Sequence, residues 1–192
     1  AARWPQLIAE IRRREPDVRV VVRTQVPGWF LRASLDPGVE VVPGQTDTGV
    51  VQPDSLTIDE AATAEHAASF YREFDTHVTR EAAFLQREQV SLVVADVPPV
   101  AFAAAAVAGL PSVAFSNFTW DWIYGGFPGF DTAAPGVRAR IAQAQVQATM
   151  ALRLPFAGGF DGMASVVDVP VVGRRASVAR DEVRRRLRLT ET

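Results

Sequence analysis

The chain contains no cysteine, which excludes a disulfide framework, a cysteine-based zinc site and a thiol nucleophile. It also contains no lysine: all 20 of its basic residues are arginine. That removes the P-loop lysine, a Schiff-base lysine and a lysine general base from the chemistry this chain can perform. A large excess of charge of one sign is lacking as well. A net charge of −2 gives no reason to expect a nucleic-acid polyanion as partner. No apolar run reaches the ~20 residues of a membrane span, and no secretory leader opens the sequence. A cytoplasmic protein without a transmembrane segment is therefore expected. No G-x-G-x-x-G, G-x-S-x-G or H-E-x-x-H motif occurs. What remains is a chain of 192 residues, 48% hydrophobic and 22% charged, able to bury a core of domain size.

The patterning reads as helices alternating with short β-branched strands. Leu7, Ile8 and Ile11 fall at helical spacing over Trp4–Arg14, with Pro5 suited to the first turn. Runs at 18–23 and 39–42 read as buried strands, with a loop or short helix starting at Val26. A polar loop, 44–55, precedes a long helix. Thr57 is expected to cap it, with Glu60 three residues on completing a capping box. The apolar stripe from Ile58 to Leu85 carries that helix to about Arg87, long enough that a bend inside it is expected. Then come a strand at 91–95 ending at Asp96, and a helix opened by Pro98 and Pro99 and closed by Gly109. A strand at 112–115 and a Gly/Pro-rich loop at 125–136 follow. A helix is read over 137–152, a strand over 166–172 and an Arg-rich helix over 178–187. Such alternation predicts an α/β fold with a doubly wound parallel sheet. Ligands in these sheets bind beyond the carboxyl ends of the strands, which singles out the loops after Arg23, Ala95 and Phe115. The chain begins within a helix, before any strand, and ends in polar residues suited to a linker. We expect it to be a piece of a longer protein: residues 1–175 one domain, 176–192 a terminal helix and linker.

Asp96 sits at a strand's carboxyl end, just before a helix. It can cap that helix, or orient a catalytic histidine through one ring nitrogen, or do both. The run Ser116-Asn117-Phe118-Thr119-Trp120-Asp121-Trp122-Ile123-Tyr124 holds two of the four tryptophans and one of the two tyrosines. It reads either as a packed aromatic corner or as a sugar or aglycone site, where flat rings stack and polar groups fix orientation. Asp54 and Ser55 lead into the long helix and read first as a polar loop. His66 and His77 stand eleven residues apart, ~16 Å along a helix, too far to share a metal or a proton relay. They read as solvated or half-buried side chains. The arginine runs at 12–14 and 184–186 read as solvated faces. No metal site is expected.

These segments also carry a resemblance. The stretch Asp47-Thr48-Gly49-Val50-Val51-Gln52-Pro53-Asp54-Ser55-Leu56-Thr57-Ile58-Asp59 is joined by Val94-Ala95-Asp96-Val97-Pro98-Pro99 and Ala108-Gly109-Leu110-Pro111-Ser112-Val113. With Ser116–Tyr124 and Val167-Asp168-Val169-Pro170 they resemble the N-terminal half of a glycosyltransferase-like family, a half also fused to a sugar kinase in plants. The resemblance spans nearly the whole chain, and Ser-Asn-Phe-Thr-Trp-Asp is its most specific piece.

The family looks related to UDP-glycosyltransferases of the two-domain glycosyltransferase B (GT-B) architecture. The resemblance therefore implies a Rossmann-like N-terminal domain on the acceptor side, lacking its first strand. The donor nucleotide sugar, a co-substrate and not a resident cofactor, would be held mainly by a C-terminal domain outside this chain. In that family a loop histidine, absent here, takes the acceptor proton, and an aspartate in a Val-Ala-Asp context orients it; Asp96 matches that aspartate. Asp54, Ser116, Asn117, Phe118, Thr119, Trp120, Asp121 and Tyr124 are the expected substrate-binding residues, facing a sugar or other hydroxyl acceptor. Transfer by this chain alone is not expected. Two other readings stand beside this one: a sugar or nucleotide-sugar binding module without turnover, and, with no support from the aromatic run, a nucleotide-binding oxidoreductase.

Overall fold

The computed structural model describes residues 3–189 apart from 174, 175 and 177, and only the backbone of Arg32. In chain order the elements are α1 (Trp4–Arg14), β1 (Val21–Thr24), α2 (Gly28–Arg32), β2 (Glu40–Pro43), α3 (Glu60–Arg72), α4 (Phe74–Arg87), β3 (Val93–Ala95), α5 (Pro99–Val107) and β4 (Ser112–Phe118). They continue with α6 (Trp120–Gly125), α7 (Phe130–Ala133), α8 (Val137–Gln145), β5 (Met150–Gly158), β6 (Val166–Asp168) and α9 (Arg180–Arg186). The fold is α/β and Rossmann-like, with parallel sheets flanked by helices.

The chain divides into two compact units. One is Ala1–Pro43 with Val172–Thr192; the other is Gly44–Val171. In the first, β1 and β2 pair in parallel, Val21 beside Glu40 and Thr24 beside Pro43. Each begins a residue or more later than the apolar run predicts. Pro5 occupies the first turn of α1, where its missing N–H costs nothing. The last turn holds Arg12, Arg13 and Arg14, which suits the negative end of the helix dipole. Arg13 and Arg14 both bond Glu10 and hold its carboxyl down to about 2.

The second unit carries a four-stranded, all-parallel sheet in the order β3-β4-β5-β6. The crossover from β3 to its parallel neighbour β4 places α5 against both strands, and α8 packs beside α5. The core lies under that layer. Val100, Ala103 and Ala104 of α5 meet Phe70, Phe74, Val78 and Ala82 of α3 and α4. Phe102 turns the other way, toward Ala95, Ala114 and Ala151 of the strands. The alanines let helix and sheet approach closely, which is why α5 reads as apolar on every side. Gly109 ends the α5 segment at φ +70°, a conformation that suits glycine.

Three expectations need correction. The long helix starts at Glu60, not at Thr57. Its N-cap is Asp59, whose Oδ1 accepts from the Ala62 N–H. The Thr57 hydroxyl is taken by Asp54 instead. The expected bend falls at Glu73, which separates α3 from α4. The strand that was to end at Phe115 runs on to Phe118. Finally, the helix predicted to reach Leu152 stops at Gln145, and Met150–Gly158 is β5, an interior strand. Met, Ala, Leu and Arg favour helix in isolation, but here pairing with both β4 and β6 decides.

Candidate functional site

All the residues of the candidate site belong to the second unit. It is built from the loop after β2, the end of β3, and the step from β4 into α6.

The loop is tied down from two sides. The Tyr124 hydroxyl donates to the Gly49 carbonyl at 2.6 Å and lies 3.2 Å from Thr48 Oγ1. The Val51 N–H donates to Thr63 Oγ1 at 2.9 Å, and Thr63 in turn donates to the Asp59 carbonyl at 2.6 Å. Gly49 has φ +62°, and a side chain there would meet the Trp120 ring at 3.8 Å. So held, the loop delivers Asp47 to Trp120: the indole Nε1–H donates to Asp47 Oδ2 at 3.0 Å.

Burial pushes the Asp47 carboxyl above its ordinary value; the Trp120 bond opposes the shift and the neighbouring Asp96 charge adds to it. The Asp47 carboxylate thus sits bonded to an indole and within the field of Asp96. Asp47 stands outside the expected site residues. Its only sequence signal is its place at the head of the Asp-Thr-Gly run that carries the family resemblance. Nothing in a polar loop announces that the aspartate will face a strand end some 50 residues further on.

Asp96 follows β3 directly. The helix cap expected of it falls instead on Pro98, and no side chain caps α5. The next residue, Val97, is fully buried at φ +50°. A β-branched residue in the left-handed region is a strained exception that surrounding structure must enforce, and such strain gathers at functional sites. Here the packing of Val97 among Ala95, Phe102 and Ala114 enforces it, and it turns the chain sharply just after Asp96.

The Ser116–Tyr124 run does two jobs. Ser116, Asn117 and Phe118 lie within β4, with Ser116 fully enclosed, so three of the residues expected beyond the strand are part of it. Thr119 is the buried N-cap residue of α6. On one face of α6, Trp120 and Tyr124 stack at 5.6 Å, and Tyr124 stacks on Phe130 at 4.5 Å. Tyr124 is almost fully enclosed, and burial pushes its hydroxyl up to about 12. It is a packing and loop-holding residue. Phe118 meets Trp120 edge-on. Burial also drives Tyr71 well above its usual value, with the charges of Tyr124, Asp47 and Asp121 adding to the effect. On its other face α6 presents Asp121 and Trp122 toward the segment after β5. Trp122 leaves no room for a side chain at Gly158, nor Thr119 at Gly159.

Asp54 is exposed and spends its carboxylate in its own turn. It accepts from the N–H groups of Leu56 and Thr57 at 2.8 Å, which lowers its pKa. His66 is exposed; His77 is half-buried, stacked on Phe70 at 4.3 Å. The packed aromatic corner and the polar site are thus both present, sharing Trp120.

The fold and site together define a Rossmann-like α/β chain with an aspartate following β3 and an aspartate–indole bond between the loop after β2 and α6. No family model matches the chain. It is 34% identical over 188 residues to L-arabinokinase of Arabidopsis thaliana, an alignment covering 91% of this chain and 17% of that protein. The chain thus corresponds to a minor region of a much longer sugar-related relative. Among the described residues, no helix is long and apolar enough to cross a membrane.

Proposed function

We propose that this chain is the acceptor-side half of a nucleotide-sugar-dependent glycosyltransferase of the GT-B type. The observation that carries the reading is the Asp47 carboxylate bonded to the Trp120 indole within the field of Asp96, which follows β3 at the carboxyl edge of a parallel sheet. Such a site suits a sugar: carboxylates accept from its hydroxyls and an aromatic face covers its C–H surface. In the intact protein Asp96 orients a histidine lying outside this chain. That histidine takes the acceptor proton as the hydroxyl oxygen attacks the anomeric carbon, and the bond to the nucleoside diphosphate breaks. The diphosphate leaves on the donor domain.

One observation favours a second reading. The matched relative is named as a kinase, and this chain spans 17% of it. A sugar or nucleotide-sugar binding module, without transfer of its own, fits that placement.

The test is to supply the intact protein with a panel of nucleotide sugars and hydroxyl acceptors. Transfer that Asp96→Asn lowers by about 10³–10⁴-fold supports the first reading, since an orienting carboxylate contributes on that order. Saturable sugar binding without turnover supports the second. Unchanged transfer in Asp96→Asn removes Asp96 from the mechanism.

A further inference from the structure

Behind α6, away from Asp47 and Asp96, lies a second polar feature. A partly open cavity of about 60 Å³ is lined by Asp121, the C-terminal end of α8, and the segment Gly159–Met163 that leads from β5 to β6. Two polar atoms buried in its lining residues have no hydrogen-bond partner: Asp121 Oδ1 and Gln145 Nε2. Gln145 is 4% exposed, so its amide cannot turn to bulk water. A second carboxylate, Asp161, stands at the rim.

Neither Asp121 nor Asp161 makes a side-chain hydrogen bond or ion pair among the described residues. The nearby arginines are engaged elsewhere. Arg138 bonds the Asp121 backbone carbonyl and pairs with Asp131. Arg153 pairs through two nitrogens with Asp168, and Asp161 reaches it only as a field. The chain has no lysine that could swing in. The segment itself is bent sharply, with Gly159 at φ +85° and Phe160 at +79°.

We propose that this cavity binds a hard divalent cation of the calcium or magnesium kind. The ligands are one oxygen each from Asp121, Asp161 and the Gln145 amide, with water completing the shell. Two carboxylates and an amide oxygen are the donor set such ions take. The cation cancels the two uncompensated negative charges that line the space. The Gln145 amide contributes its oxygen by a half-turn about its last bond, a rotation that breaks no hydrogen bond because the Nε2 makes none. The volume is that of about two waters, enough for an ion with part of its hydration shell. Few charged ligands mean weak binding, in the ~10⁻⁴–10⁻³ M range of low-charge sites.

The experiment is a titration of the intact protein with CaCl₂ and MgCl₂ after EDTA treatment, at constant ionic strength. It is read by calorimetry, thermal shift and terbium luminescence excited through tryptophan. Trp122 packs against Gly158 and Gly159 beside the cavity, so bound terbium is sensitised there. Saturable binding with a rise in Tm is expected. Asp161→Asn, at an exposed position, weakens it about tenfold or more while leaving the cation-free Tm unchanged. Gln145→Glu adds a third carboxylate: it tightens binding about tenfold and lowers the cation-free Tm. An absence of saturable binding up to about 10⁻² M, ten times the upper end of that range, overturns the proposal and leaves the space to water alone. Tightening by Gln145→Glu that fails to appear overturns the assigned ligand set.

Discussion

At the scale of single residues, Asp47 is the side chain whose properties depend most on where it is put. Because burial raises its folded-state value above the ordinary 3.8, ionising it opposes folding. The sign follows from linkage: its contribution is fully present below about 3.8 and is lost as pH rises through the raised folded value. Asp47→Asn should therefore flatten that part of the stability curve while keeping an oxygen for the Trp120 N–H. Urea unfolding at a series of pH values reads this directly. Trp120→Phe keeps an aromatic ring but strands a desolvated carboxylate, and should cost about 1–3 kcal/mol in the same measurement. Neither effect could be written from the sequence. The carboxylate and the indole stand 73 positions apart, and only the folding of the loop against α6 joins them.

At the scale of elements, a small polar side chain decides where α3 begins. Asp59→Ala should cost about 1 kcal/mol by removing the α3 cap, whereas Thr57→Ala should change the helix by less than ~0.5 kcal/mol, since Thr57 serves the Asp54 turn. Denaturant midpoints of the two variants separate the assignments. In the sequence the spacing to Glu60 points to Thr57. In the fold the cap falls on Asp59 because it is extended (φ −86°, ψ 94°) and within reach of the Ala62 N–H, while Thr57 is already occupied. Tyr124→Phe tests the tie between α6 and the site loop. Loss of the bond to Gly49 should cost about 1 kcal/mol and speed amide exchange over residues 48–51. At the end of β5, Gly159→Ala should destabilise by at least ~1 kcal/mol, because the site combines φ +85° with the Thr119 hydroxyl directly in the way.

At the scale of the whole molecule, the sheet of the second unit sets the hierarchy of stability. β4 pairs on both sides, with β3 and β5, and holds Ala114, Phe115 and Ser116 out of solvent. Its amides should exchange most slowly in that unit, while β6, an edge strand of three residues with two of them exposed, should exchange fastest of the four strands. Hydrogen exchange followed by mass spectrometry checks the order. The candidate site occupies the rim of this stable sheet, as parallel sheets generally place ligands. Its loops can therefore differ in relatives without cost to the core beneath.

What the sequence determined by itself were the features that local chemistry controls. Pro5 and the Leu7-Ile8-Ile11 stripe set α1, Pro99 and Gly109 bracket the α5 segment, and strands alternating with helices set the α/β class. Each depends on the preferences of a few neighbouring residues, and those are written along the chain. The tertiary structure alone decided three things. Met150–Gly158 is a strand because β4 and β6 offer it two partners, which overrides the helical leaning of its residues. Ser116–Phe118 continue β4 because β5 runs alongside them as far as Gly158. Asp47 joins Trp120 because a loop with no periodic pattern is tied down by Tyr124 and Thr63. All three are long-range pairings, and their free energy comes from surfaces that meet only once the chain has folded.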